Sequence, residues 1–247
     1  MTMFAVLTKF ELKLQLRNVI TLFFALAFPL MMLLLFGAMY GNEPSEFTGG
    51  YGAVDLMVPS YTCMIVAVTG IMSLPLTVAA YREQKILKRF MATPIQPLQI
   101  LAAQVVVNSI TTIAGIALLL VVARLVYHVQ FLWNMPATLF AFLLVLACMF
   151  SLGLMIAGGA PNGRAASALA YLVYFPMLFL SGASVPLYIM PKSIVKIANI
   201  LPLTYGVRLL TGVWLGGALW DYGRELLVLL GVTILSVALS IRFFKWE

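Results

Sequence analysis

The sequence predicts an all-α membrane protein. It has six transmembrane helices, an N-terminal interfacial helix and re-entrant helices before the last span, in one transmembrane domain over residues 1–247. Three observations lead there. Hydrophobic residues make up 63% of the 247 and charged residues only 9%, against about 25% charged in a typical soluble domain, so lipid must solvate much of the surface. Several apolar runs reach the roughly 20 residues that a helix needs to cross a bilayer. The net charge of +7 gathers at the ends of those runs, where membrane topology puts cations. Because these cations are not interleaved with aromatics on a polar surface, nucleic acid is not expected as a partner.

The elements follow in order. Residues 1–18 carry Met3, Leu7, Phe10 and Leu14 at helical spacing, with Lys9, Lys13 and Arg17 four apart. This predicts an amphipathic helix on the cytoplasmic membrane surface, although Phe10, Leu12, Leu14 and Leu16 also alternate at strand period. Residues 19–39 are too long for the apolar part of a signal peptide and read as a retained first span. An acidic, glycine-containing loop leads to span two at 54–80. The one dense charge cluster follows at 81–97, then span three at 98–127, span four at 136–156 and span five at 165–182. Residues 183–217 are apolar but broken by prolines and glycines, as expected of short helices that re-enter the bilayer or lie at its outer interface. Span six covers 225–243.

With the N-terminus inside, ten Lys and Arg residues fall on inner segments and five on outer ones. The first outer loop has none. The prediction is therefore a multi-pass cell-membrane protein with both termini cytoplasmic.

The chemistry is sparse. No Gly-x-x-x-x-Gly-Lys-Ser/Thr loop is present to cradle ATP phosphates, so the chain is not expected to be an enzyme. Cys63, Cys148 and the single His128 do not make a metal set. The acids Glu11, Glu43, Glu46, Asp55, Glu83, Asp221, Glu225 and Glu247 all fall in loops, tails or near span ends, whereas ion-coupled transporters place ionisable groups in mid-membrane. Arg124 and His128 read as interfacial anchors at the end of span three.

Two polar stripes cross the spans. Thr62, Thr69, Ser73 and Thr77 share a face of span two, and Gln104, Asn108 and Thr111 or Thr112 share a face of span three. Such groups must turn inward. They either hydrogen-bond between helices or line a translocation path or dimer seam, with Thr69, Ser73, Gln104 and Asn108 as the path candidates. Pro59 and Pro75 allow span two to kink.

The charge cluster is the most informative segment. Arg82, Glu83, Lys85, Lys88 and Arg89 accompany Ile86, Leu87, Phe90 and Met91, whose spacing marks one helical face. Lys85 and Arg89 are like charges four apart and do not help an isolated helix. They suit an acidic partner surface or lipid phosphates. Thr93–Pro94 ends this helix, and Pro97 starts the next.

The segment "YREQKILKRFMATPIQPLQIL" resembles the stretch joining spans two and three in permeases of type-2 ABC exporters, most closely in "KRFMATPI". The family usually has Gly-Thr where this chain has Lys85–Ile86 or Ile86–Leu87. A second stretch, "FLSGASVPLYIMPKSIVKIANILPLTYGVRLLTG", is similar to the family's region after span five. The resemblance covers essentially the whole chain. It implies that Arg82, Glu83, Lys85, Lys88, Arg89, Phe90, Ala92, Thr93 and Pro94 belong to a coupling helix that docks on a separate ATPase subunit, which would hold the ATP and Mg²⁺. It implies that the N-terminal helix also touches that subunit, that two permease chains pair as a homo- or heterodimer, and that 183–217 caps the exit. The cargo implied is a drug, antibiotic or lipid, with a lean toward drug and antibiotic export. The competing readings are an ion-coupled transporter or channel, a membrane-embedded enzyme, and a membrane sensor that does not transport.

Overall fold

A computed structural model describes residues 3–45, 49–84, 97–129, 134–160, 162–187 and 190–243. Among these residues every regular element is helical. The N-terminal helix α1 spans Met3–Gln15. Among the described residues, six helices are long and apolar enough to cross a membrane: α2 (Val19–Tyr40), α3 (Ala53–Glu83), α4 (Pro97–Tyr127), α5 (Met135–Gly159), α6 (Gly163–Leu180) and, after two short helices, α9 (Gly223–Phe243). The short helices are α7 (Lys192–Ala198) and α8 (Pro202–Trp214). Each span lies within a few residues of the range its hydropathy predicts, because apolar length and flanking turn residues are both local signals.

The spans are not equivalent. In α3, 83% of the most apolar window is buried, against 11% in α9 and 22% in α2. Span two is therefore the axis of the bundle, touching α2, α4, α5, α6 and α8, while α9 packs chiefly along α5 and α8. The exposed apolar rows, such as Leu125, Leu139, Leu172 and Leu227, face what would be hydrocarbon.

Span two also departs from regular geometry. Residues Val68–Ser73 form a π-helical segment just before Pro75. In π geometry each carbonyl seeks the N–H five residues on. Leu74 supplies one to Thr69, but Pro75 has none for the Gly70 carbonyl. That carbonyl points at Gly153 of α5, where only a glycine leaves room. The helices meet backbone to backbone there, as small residues permit in membranes. Pro59, also inside α3, produces no break of its own.

The re-entrant reading of the region before span six has a structural counterpart. Helices α7 and α8 are bent by 98° across residues 199–201, and α8 wedges between α3, α5 and α9. The "LPLTY" sequence makes the corner. Pro202 starts α8 at the position where its missing N–H costs nothing. The hydroxyls of Thr204 and Tyr205 then reach back and donate to the last carbonyls of α7, Thr204 to Ala198 O at 2.6 Å and Tyr205 to Asn199 O at 2.7 Å. The Ala198 carbonyl also accepts from Leu201 N at 2.9 Å, so Thr204 adds a second bond there, while Tyr205 satisfies a carbonyl at the helix end. Thr204 is fully buried, so Thr204→Val removes one of the two bonds at the Ala198 carbonyl and should cost about 0.5–1.5 kcal/mol. A melting curve in detergent checks this, with Thr204→Ser expected to restore the wild-type midpoint. Equal midpoints for valine and threonine would remove the corner's proposed cause.

At the same end, His128 takes a left-handed backbone conformation (φ 53°) after α4. Arg124 donates to the Val129 carbonyl at 2.8 Å. The two residues read as interfacial anchors thus close the end of a helix. Asp55 caps the start of α3, accepting from Gly52 N and from the Asn42 side chain.

Candidate functional site

The opposite end of the bundle, where α3 leaves and α4 returns, holds the candidate site. Of the nine residues assigned to ATPase coupling, the structure describes Arg82 and Glu83. Lys85, Lys88, Arg89, Phe90, Ala92, Thr93 and Pro94 lie outside the described residues. Arg82 and Glu83 both turn toward this chain's own α5–α6 connection. Arg82 Nη1 donates to Ala160 O at 2.6 Å. The Glu83 carboxylate accepts from the backbone N–H of Gly163 at 2.9 Å, at the first residue of α6, where an anion suits the helix end. A side chain at 163 would meet that carboxylate at about 2.7 Å. The two charges thus clamp the exit of span two to the start of span five.

Helix α1 docks on the same end. It is amphipathic, and the side it buries against the bundle is separate from Phe10 and Leu14 of the apolar stripe. Leu7 is buried, whereas Phe10 is 57% exposed, and the buried row is Leu7, Glu11 and Gln15, with Phe4 beside it. Lys9, Lys13 and Arg17 are exposed, as expected. The acid and amide are drawn inward because the polar stripes of spans two and three offer them partners.

Glu11 is only 3% exposed. Its Oε2 accepts from Tyr81 OH at 2.5 Å and from Gln104 Nε2 at 2.6 Å. Gln15 Nε2 donates to Ser73 Oγ at 3.1 Å and to Asn108 Oδ1 at 3.3 Å. Deeper in the bundle, Thr69 and Thr112 share a hydroxyl–hydroxyl bond of 2.7 Å, and Thr112 bonds back to Asn108 O. All four path candidates, Thr69, Ser73, Gln104 and Asn108, therefore sit in one buried hydrogen-bonded column between α1, α3 and α4. Thr111, Thr62 and Thr77 instead bond to their own helix.

Beside this column lies a cavity of about 280 Å³ lined by Glu11, Gln15, Ser73, Thr77, Tyr81 and Gln104, among others. Glu11 lies on the N-terminal helix, outside the six spans, but it is buried and paired with neutral donors. Burial pushes its carboxyl above the ordinary range, and the bonds from Tyr81 and Gln104 pull it part of the way back. The sequence carries a signal for this: Glu11 and Gln15 are four apart on α1, matching the i, i+4 spacing of Gln104 and Asn108.

The profile of the family described as "ABC-2 type transporter" matches residues 2–215. The chain belongs to the ABC-2 type transporter family. A "Putative transport permease ycf38" of Porphyra purpurea is 27% identical over 199 residues, covering 78% of this chain and 67% of that protein. Its counterpart in Pyropia yezoensis is 26% identical over 199 residues, with the same coverage of 78% and 67%. "ABC transporter G family member 20" of Dictyostelium discoideum is 27% identical over 185 residues, or 72% of this chain and 24% of that protein. As a member of the ABC-2 family, this chain is a membrane subunit of an ABC transporter. The family match takes in α1, the 81–97 segment and the α7–α8 corner. The family assignment and the column of polar bonds thus fall on the same elements.

Proposed function

We propose that the chain is the membrane-spanning subunit of an ATP-driven exporter, working as a dimer of permease chains with separate ATPase subunits. The segment 81–97 docks the motor, and the cargo is a hydrophobic or amphipathic drug, antibiotic or lipid. The carrying observation is the clamp at Arg82 and Glu83. It ties the beginning of the proposed docking segment to the start of span five, while α4, at its other end, carries Gln104 against docked α1. A push on this segment is therefore delivered to spans two, three and five and to the N-terminal helix together, with no flexible linker at its first residues. Close-packed elements of this kind move as bodies and are not absorbed by soft deformation.

The test is co-purification and transport with a candidate ABC ATPase subunit co-expressed with this chain. Phe90→Ala combined with Lys88→Glu and Arg89→Glu should abolish ATPase retention on the tagged permease while leaving its own melting temperature unchanged. Retention and nucleotide-dependent transport at wild-type levels would remove the docking role. Buried Glu11 is the one observation that favours the ion-coupled alternative. Transport that follows a pH gradient without any nucleotide would establish that reading instead.

A further inference from the structure

A second cavity, of about 1040 Å³, lies at the other end of the bundle, at the top of the usual ligand-site range of about 300–1,000 Å³. It is enclosed by the end of α2, the first half of α3, the 182–187 turn, α8 and the start of α9. Phe36, Leu56, Met57, Val207 and Leu215 make an apolar body. Exposed Tyr40 and Glu43 stand at its mouth.

Three polar features interrupt that body. Arg208 is half-buried and held in place: Nη2 donates to Asn199 Oδ1 at 2.7 Å, and its guanidinium lies 6.0 Å from the centroid of the Tyr205 ring. A guanidinium carries five N–H donors in a planar fork, a shape that matches phosphate oxygens. Thr211, one turn away on the cavity side of α8, has a buried hydroxyl oxygen without a hydrogen-bond partner, a state that buried polar groups rarely keep unless a ligand or water meets them. Glu43 and Glu225 line the same cavity.

From these features we infer that this cavity binds one zwitterionic phospholipid, its acyl chains along the α2–α3 wall, its phosphate on Arg208 and Thr211, and its amine toward Glu225 and Glu43. A purely anionic amphiphile would satisfy Arg208 but bring its charge beside two acids. A purely cationic one would meet Arg208. A headgroup with both signs suits both sets of charges, and the bilayer around the protein supplies it. The inference does not rest on the docking of a motor subunit, and its test uses no nucleotide.

The experiment is native mass spectrometry of the delipidated protein after adding palmitoyl-oleoyl phosphatidylethanolamine and palmitoyl-oleoyl phosphatidylglycerol in equal amounts. The wild type should retain one phosphatidylethanolamine per chain, with at least a tenfold preference over the glycerol lipid. Arg208→Gln should lose retention of both. Glu225→Gln should lose the preference while still holding lipid. Leu56→Trp, which fills the apolar body, should block retention, with a melting curve confirming that the variant is folded. Equal retention of the two lipids by the wild type, no retained lipid, or unchanged retention in folded Leu56→Trp each overturns the inference.

Discussion

Gly153→Ala should leave little folded protein. A methyl group on Gly153 would overlap the carbonyl oxygen of Gly70 on span two. That atom is backbone, inside the π-helical segment Val68–Ser73, and no side-chain rotation can move it away. The two helices must separate, and with them the contacts of the most buried span. Overpacking costs typically about 1–3 kcal/mol, and a clash with backbone falls at the upper end or beyond. The reciprocal change, Gly70→Ala, meets the Phe150 ring at 2.8 Å and the Met149 carbonyl group at 2.9 Å and should be nearly as damaging. Gly231→Ala serves as the control. Nothing lies within 4 Å of that position, and alanine is the better helix former by up to about 1 kcal/mol. The readout is the monodisperse yield and melting temperature in detergent. A Gly153→Ala protein that melts with the wild type would show that spans two and four do not meet as described.

The second large effect belongs to Glu11. Its carboxyl titrates above the ordinary glutamate range because burial disfavours the charged form. The folded state therefore holds its proton more tightly than the unfolded chain does. The sign follows: the contribution to stability is fully present below the unfolded value of about 4.3 and is lost as the pH rises through the raised, folded value. Docking of α1 should weaken across that window. Glu11→Gln keeps an acceptor for Tyr81 or Gln104 and cannot ionise, so its melting temperature should be flat where the wild type's falls. Glu11→Ala removes the acceptor and leaves Tyr81 OH and Gln104 Nε2 without their shared partner, at a cost of about 1–3 kcal/mol that is largest at the acid end, where the wild type is most stable, and its own melting temperature should not follow this titration. Melting curves between pH 4 and pH 8 (on the order of the range set by reference glutamate and histidine values) separate the three proteins. A Glu11→Gln variant with the wild-type slope would assign the titration to another group.

The two effects differ in how visible they were beforehand. Span limits follow from apolar runs, and the corner before span six follows from "LPLTY" together with its prolines and glycines. These are local signals, and local signals can be read off a chain. The polar stripes of spans two and three were equally legible as stripes. What their residues bonded to was not. Thr69 meets Thr112 and Ser73 meets Gln15 across 43 and 58 positions of sequence, and nothing in the periodicity of one helix names its neighbour. The same holds for Arg82 and Glu83. Their charges stood out in a segment similar to a family motif, yet their contacts with Ala160 and Gly163 depend on where another loop returns.

Helix α1 shows the limit most sharply. Its apolar spacing predicts an amphipathic helix at the membrane surface, and Phe10 and Leu14 stay exposed, away from the bundle. The spacing does not say that Glu11 and Gln15 turn inward, because their partners lie on spans two and three. By itself, the chain determined its solvent, its number of crossings and its family, because each is written in composition, run length and contiguous motif. The tertiary structure alone decided which polar groups satisfy one another, where two glycines let backbones touch, and where a cavity carries both signs of charge. Each of these is a distance between residues far apart in sequence, and only packing sets such distances.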